Sequence, residues 1–181
     1  NNLTLTMTGD DNAYGVYSES SRIDLTDTMV ETQGAQSHGV VANHRYATYN
    51  GQQGPVTNDP SLITIKGGGV TAKGASSYAL YIYDSAQINV ENATITTQGK
   101  NALGAYATWL GSINLSGDSH VVIKGSESVG ILANSDGVVS LSHGVKVTNQ
   151  GGGMMPDNLT SGSLEEGLIT ITDGDVYIEG A

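Results

Sequence analysis

The chain has 181 residues, enough for one domain with a continuous core, and its 7 basic against 18 acidic residues give a net charge of −11. That balance argues strongly against nucleic acid as a partner, because phosphate binding needs clustered Lys and Arg. The absence of cysteine excludes a disulfide scaffold and a cysteine-ligated metal, and no apolar run is long enough for a membrane-spanning helix.

A pair of apolar residues separated by one polar residue recurs along the chain, with first members 40, 25, 25, 26 and 30 positions apart. In chain order the copies are Ile23/Leu25, Ile63/Ile65, Ile88/Val90, Ile113/Leu115, Val139/Leu141 and Ile169/Ile171. About seven residues later comes a second apolar site, formed by Val30, Val70, Ile95, Val121 or Val122, Val145 or Val147, and Val176. This period-two alternation predicts short strands rather than helices.

Each unit then reaches a glycine, at positions 34, 74, 99, 125, 151 and 180, which we expect at a sharp corner that needs glycine torsion angles. Five residues after four of these glycines stands another small residue, namely Gly39, Ala79, Gly104 or Gly130. The distant segments LITIKGGGVTAKGA (62–75) and LITITDGDVYIEGA (168–181) are identical at eight of fourteen positions. The chain is therefore built from repeats.

A unit of about 25 residues with three strands predicts an all-β fold, a parallel β-helix of three-strand coils. Six to seven coils would stack in register, with the apolar pairs inward and the residue between them facing solvent. An antiparallel β-sandwich is the alternative, because Asn50-Gly51, Asp136-Gly137 and Asp173-Gly174 are hairpin signals.

Two insertions interrupt the repeat, so we interpret residues 1–181 as one β-helix segment with loops at about 43–61 and 152–167. Gly39 and Ile63 are 24 positions apart, whereas Ala79 and Ile88 are nine apart. Loops that emerge from a rigid scaffold often carry function. The first insertion contains the best candidate ligand-binding residues, His44, Arg45, Tyr46 and Tyr49, because Tyr and Arg dominate binding hot spots.

A second candidate surface is a stripe formed by Tyr17, Tyr81, Tyr83 and Tyr106, whose inward or outward orientation the sequence leaves open. Ladders of Thr, Asn, Ser and Asp between the apolar pairs would either be solvated or support association between rods. Among the histidines, His38 is expected to replace a strand residue of other units, and His120 and His143 are expected in turns. We expect no metal and no cofactor.

The units SHGVVA (37–42), NALGAYA (101–107) and SVGILA (128–133), each followed by xIxL and VxTxG patterns, resemble the passenger region of Gram-negative autotransporters. This family includes pertactin-like and self-associating adhesins. The resemblance implies a right-handed β-helix that is a piece of a longer passenger. It would be delivered to the bacterial surface, or secreted, by an outer-membrane β-barrel translocator that is not in this chain.

The function implied by the resemblance is that of a non-enzymatic adhesin. It would bind a host cell-surface or extracellular-matrix protein or glycan, with self-association as a further expectation and no membrane insertion by this segment. A secreted agonist of a host receptor is one alternative.

A carbohydrate-active β-helix enzyme is the other alternative, and it would need converging carboxylates. Candidates are Asp24 on the wall and Asp157, Glu165 and Glu166 in the second insertion, but no spacing specifies a pair. The segment Gly117-Asp118-Ser119, which partly matches a serine-hydrolase motif, is expected to be a turn.

Overall fold

The structure is a computed structural model and describes residues 2–9, 11–44, 46–49, 52–55, 60–142, 144–151, 168–172 and 177–179. These residues form twenty strands. In chain order they are β1 (Leu3–Met7), β2 (Tyr14–Glu19), β3 (Arg22–Thr26), β4 (Thr28–Thr32), β5 (His38–Asn43), β6 (Tyr46–Tyr49), β7 (Gln52–Pro55), β8 (Leu62–Lys66), β9 (Gly69–Ala72), β10 (Tyr78–Tyr83), β11 (Gln87–Glu91), β12 (Thr94–Thr97), β13 (Leu103–Thr108), β14 (Ser112–Ser116), β15 (His120–Ile123), β16 (Val129–Ala133), β17 (Val138–Ser142), β18 (Lys146–Asn149), β19 (Leu168–Thr172) and β20 (Tyr177–Glu179).

Three parallel sheets run along the molecule, and the chain visits them in turn. Sheet A has the order β1-β4-β9-β12-β15-β18-β20, sheet B the order β16-β13-β10-β5-β2, and sheet C the order β19-β17-β14-β11-β8-β3. Strands β1 to β17 make five complete coils, and the predicted β-helix is confirmed as a β-solenoid. Of the expected further coils the structure describes β19 and β20, and residues 152–167 between β18 and β19 lie outside the described residues.

The predicted register of the apolar pairs is confirmed in sheet C. Ile63, Ile88, Ile113 and Val139 are stacked in successive coils and are 0% exposed. Full burial of such a side chain contributes about 1.5–3 kcal/mol, so this column is a main source of stability. The antiparallel sandwich is wrong, because every pairing within the three sheets is parallel.

The second apolar column lies in sheet A, and the structure decides which valines belong to it. Val121 pairs with Ile95 and with Val147, so these two valines continue the column that begins with Val30 and Val70. The prediction for its last member is wrong, since Ile178 pairs with Val147. Val176 lies outside the described residues.

Glycines at the corner between sheets A and B are required by close approach of neighbouring coils, which corrects the expected torsional reason. A Cβ built on Gly99 would overlap the carbonyl oxygen of Gly74, and one on Gly125 would overlap that of Gly99. The left-handed glycines are at other places, for example Gly67 and Gly117. The corner glycines therefore let the backbone of each coil lie directly on the coil below.

Buried serines at the same corner bind backbone groups of the adjacent coil. The Ser37 hydroxyl accepts from the Ala13 N–H at 3.1 Å, and the Ser128 hydroxyl accepts from the Ala102 N–H at 2.9 Å. Ser37, Ser77 and Ser128 are all 0% exposed. Each hydroxyl thus satisfies a polar group that the corner would otherwise bury without a partner.

We predict that Gly99→Ala destabilises the fold by about 1–3 kcal/mol, because the added methyl group meets backbone that cannot move aside. The control is Gly9→Ala, since a Cβ at Gly9 meets no described atom within 4 Å. Urea denaturation measures both free energies of unfolding, and the control should change by less than about 0.5 kcal/mol. Equal effects of the two substitutions would contradict the close-approach explanation.

Candidate binding surface

The first insertion leaves the solenoid at the corner between sheets B and C. Asn43 pairs with Tyr83 and Leu62 with Gln87. Residues 44–61 therefore make the connection from sheet B to sheet C that residues 84–86 make in the next coil. The excess is therefore fifteen residues, 45 to 59. His44 is 7% exposed and its backbone N–H donates to the Asp84 carbonyl at 3.1 Å, so this predicted ligand residue is buried at the base of the insertion.

The insertion itself contains a β-hairpin. Strands β6 and β7 pair antiparallel, with Tyr46 opposite Pro55 and Tyr49 opposite Gln52. The hairpin signal Asn50-Gly51 lies between these strands in the sequence, but both residues, like the predicted ligand residue Arg45, lie outside the described residues. The structure thus assigns Tyr46 and Tyr49 to one strand, three positions apart.

The outer surface of sheet B carries rings that stack from coil to coil, which we call the aromatic face. Its members are Tyr14, Tyr17, His38, Tyr78, Tyr81, Tyr83 and Tyr106. The His38 ring lies 4.4 Å from Tyr78 and 5.8 Å from Tyr14, between centroids, and nearly parallel to Tyr78. Tyr81 stacks on Tyr106 at 5.2 Å with an interplanar angle of 12°. The expected tyrosine stripe exists, and it faces outward.

The tyrosines face outward because the strand alternation is interrupted. Ala79 and Leu80 are both 0% exposed, so Tyr78 and Tyr81 lie on the same outer side although they are three positions apart. The first of the two inward positions must be small. A Cβ at Gly39 would overlap a methyl group of Val70, which fills the interior from sheet A.

Tyrosine hydroxyls on this face are paired with asparagines of the following coil. The Asn43 Nδ2 donates to the Tyr17 hydroxyl at 3.2 Å, and the Asn134 Nδ2 donates to the Tyr106 hydroxyl at 3.1 Å. The Asn43 Oδ1 is buried and has no hydrogen-bond partner among the described residues. One acceptor at the edge of the face is therefore unused within the described part of the chain.

An open groove of about 230 Å³ lies between the rings. Its walls are Tyr14, Tyr17, Val41, Asn43, Tyr81 and Tyr83. Because Asn43 is followed directly by His44, the groove adjoins the base of the insertion. The insertion therefore begins directly after a residue of the groove wall.

The aromatic face is almost free of charge. The strands of sheet B contain no Lys or Arg and a single acidic residue, Glu19. Burial lowers the pKa of His38 to about 4, so the ring is neutral at pH 7 and its Nδ1 accepts from the Tyr78 backbone N–H at 3.1 Å. Burial and then the neighbouring Tyr106 raise the pKa of Tyr81, which stays protonated.

An exposed apolar corner extends the face. Trp109 and Leu110 are 55% and 66% exposed, and the Trp109 ring lies 6.4 Å from that of Tyr83. Both residues have left-handed backbone angles, with φ of 52° and 63°. Bulky side chains rarely adopt this conformation, and the matching turns use Asp84-Ser85 and Ser135-Asp136. This corner was not predicted from the sequence, although Trp-Leu in place of turn-forming residues was a detectable signal.

Other predicted candidates have structural roles. The expected turn at Gly117-Asp118-Ser119 is confirmed, and the Ser119 hydroxyl, on a fully buried residue, donates to the Ser116 carbonyl at 2.6 Å. The Asp24 carboxylate binds Arg22 at 3.1 Å.

The histidine predictions are settled in part. His38 does occupy a strand position, opposite Tyr14. His120 begins β15 instead of lying in a turn, and its Nε2 is 2.8 Å from the Thr148 hydroxyl. His143, like Asp157, Glu165 and Glu166 of the second insertion, lies outside the described residues.

Two further features concern the described ranges 2–9, 11–44, 46–49, 52–55, 60–142, 144–151, 168–172 and 177–179. No three or more His, Asp or Glu side chains there come close enough to share a metal ion. Those ranges also contain no helix long and apolar enough to cross a membrane. Comparison with family models, curated proteins and solved structures finds no match to the chain. The autotransporter resemblance and the absence of enzymatic activity therefore stay predictions.

We predict that His38 makes the fold sensitive to mild acid. Between its ordinary pKa of 6.5 and the folded value of about 4, the unfolded chain binds a proton at this ring and the folded chain does not. Stability is therefore lost as pH falls through this window. His38→Asn keeps an acceptor near the Nδ1 position and does not titrate, so the variant should lose less stability between pH 7 and pH 4.5. Urea midpoints at several pH values measure this, and identical slopes would refute it.

The double substitution Trp109→Asp with Leu110→Ser copies the turn Asp84-Ser85. Because Asp and Ser tolerate the left-handed conformation better than Trp and Leu, we predict unchanged stability or a gain of up to about 1 kcal/mol. Thermal or urea unfolding measures the difference. A clear loss of stability would mean that Trp109 and Leu110 are retained for folding and not for a surface role.

Proposed function

We propose that the chain is a non-enzymatic adhesin module, which binds a host cell-surface or extracellular-matrix protein or glycan. The observation that carries the proposal is the junction described above: the groove in the aromatic face ends at Asn43, and the insertion begins at His44. Two features suited to recognition therefore meet at one corner of a rigid scaffold.

Aromatic rings support binding because they offer large contact areas with few rotatable bonds. Tyr14, Tyr17 and Tyr83 are 43–46% exposed, which leaves much of each ring available. Their surroundings are held by the sheet, so little conformational entropy is lost when a partner docks. Several such rods at one cell surface would bind multivalently, and weak contacts would add up to firm adhesion.

The proposed setting follows the autotransporter resemblance. The module would reach the bacterial surface or the medium through an outer-membrane β-barrel translocator supplied outside this chain. Self-association between rods is part of the proposal, and the polar ladder of sheet C is its candidate surface. There the Asn114 Nδ2 donates to the Asn89 Oδ1 at 2.8 Å, which aligns the amides of neighbouring coils.

Deleting the insertion tests the proposal. Residues 45–59 are removed so that His44 joins residue 60, which then occupies the position of Ser85. Ser85 has a φ of 49°, which proline cannot adopt, so the variant also carries Pro60→Gly. We predict unchanged stability, because the turn then has the length of the next coil, and at least a tenfold loss of binding to host cells or immobilised matrix proteins.

A matched control keeps the loop length and replaces Arg45, Tyr46 and Tyr49 by serine. If these side chains make the contacts, the control should lose binding to the same extent as the deletion. Binding of the deletion variant at full strength would exclude the insertion from the adhesive surface. If the wild-type module binds no cell, matrix protein or glycan and forms no dimers with rising concentration, the adhesin proposal is wrong.

A further inference from the structure

We propose that the groove over Val41 binds one neutral pyranose ring of a glycan, held between the rings of Tyr17 and Tyr81. The inference rests on the proposed function, since it names the ligand class of the adhesive surface. It is carried by an interrupted ladder of rings, the size of the gap, the polar atoms on its wall and the absence of Lys and Arg from the strands of sheet B.

The gap is a missing rung in a column of side chains. In successive coils the column reads Tyr17, Val41, Tyr81 and Tyr106, and each residue pairs directly with the next. Where two tyrosines are adjacent, Tyr81 and Tyr106, their ring centroids are 5.2 Å apart. Strands two coils apart are separated by ~9.6 Å, twice the usual spacing, so the rings on either side of Val41 are far enough apart for one ring between them. Val41 itself is 3% exposed, so a ligand ring lies at the open side of this gap and not on the valine.

The volume agrees with a ligand of one ring. At about 230 Å³ the groove is smaller than the pockets of roughly 300 Å³ and more that hold drug-sized molecules. It is also open to solvent along the outer surface of sheet B, so a ring within a longer chain can enter sideways. These properties favour one residue of a polymer over an isolated large ligand.

The walls of the groove combine apolar faces with polar edges. A pyranose ring has C–H groups on its faces and hydroxyl groups around its rim, so its faces can lie against Tyr17 and Tyr81. Its hydroxyls then meet the tyrosine hydroxyls and Asn43. The Asn43 amide, whose Nδ2 binds the Tyr17 hydroxyl, places a polar group at the edge of the groove, whereas its Oδ1 is buried and is not offered to the ligand.

Charge restricts the class of sugar. The strands of sheet B contain no cation, and their acidic residue, Glu19, pairs with Asn43 at the groove. Four of the cations elsewhere are held in ion pairs: Arg22 with Asp24, Lys66 with Glu91, Lys73 with Glu31 and Lys100 with Glu127. A sialylated or sulfated sugar would find no described partner at the groove, so the ligand is neutral.

Trp109 provides a second platform for a longer chain. Tyr83 forms part of the groove wall, and the exposed Trp109 ring lies 6.4 Å from Tyr83. A neighbouring sugar of the same glycan can therefore stack on Trp109. This explains why an exposed Trp is retained at a strained corner where other coils have Asp or Ser.

The test uses the full chain and saccharides of one to four residues in glucose, galactose and mannose configurations. Sialyllactose, heparin fragments and choline serve as anionic and cationic probes. Dissociation constants come from NMR titration or calorimetry. We expect at least one neutral series to bind, with affinity rising with chain length and no comparable binding of the charged probes.

Val41→Tyr supplies the missing ring and should weaken saccharide binding at least tenfold. Val41→Ala leaves the groove open and should retain binding within about threefold. Tyr17→Leu removes one wall and provides a second loss-of-binding variant if Val41→Tyr does not fold, as checked by its urea midpoint. Trp109→Asp with Leu110→Ser should abolish the gain from chain length and leave monosaccharide affinity unchanged.

The outcomes separate this inference from the adhesin proposal. Undiminished saccharide binding by Val41→Tyr, or binding of choline in place of sugars, would overturn the assignment of the groove. If no saccharide binds and both wild-type and Val41→Tyr proteins still adhere to cells, the sugar site is wrong and the adhesin proposal stands. If no saccharide binds, and the wild-type protein adheres to no cell or matrix protein and forms no dimers, both are wrong.

Discussion

The in-register stacking of one coil on the next is the constraint on which the structure depends. Parallel backbone hydrogen bonds fix each residue directly above its counterpart in the preceding coil, as Ile113 lies above Ile88 and Val139 above Ile113. Because of this stacking, a residue type that a position requires in one coil is required at the same position in the coils above and below it. The corner therefore needs glycine at every level, because Gly99 lies against Gly74 and Gly125 against Gly99.

The same stacking produces the candidate surface. Rings that stand in one column of a parallel sheet meet face to face at nearly the strand spacing, as Tyr81 and Tyr106 do. The parallel register of the strands is enough to align these rings, so no further structure is needed to hold them in a column. In our proposal, recognition arises where the repetition fails: at Val41, which stands in a column of tyrosines, and at Trp109, which stands where the neighbouring coils have Asp or Ser.

The fold could be predicted from the sequence because its cause is periodic. Inward residues such as Ile88 and Ile113 repeat at the coil length, and this repetition identifies the solenoid without knowledge of any contact. The orientation of Tyr78 and Tyr81 could not be predicted, since it depends on the two consecutive inward residues, Ala79 and Leu80, that break the alternation. The groove could not be predicted from the sequence either, because residues from three coils form its walls. The positions of the corner glycines were predicted correctly. The predicted reason, their torsion angles, was wrong, because the close approach of neighbouring coils requires them.

The fifteen extra residues between His44 and Pro60 leave the pairing on both sides intact. Strand β3 still pairs with β8 in the same register, and β5 with β10, as though the chain had taken the short turn. Changes in the length or composition of this segment are therefore felt at one corner and nowhere along the three sheets. Over evolutionary time, such a molecule can exchange this insertion by recombination while inheriting its scaffold unchanged. Selection on the insertion and selection for folding then act on separate parts of the gene.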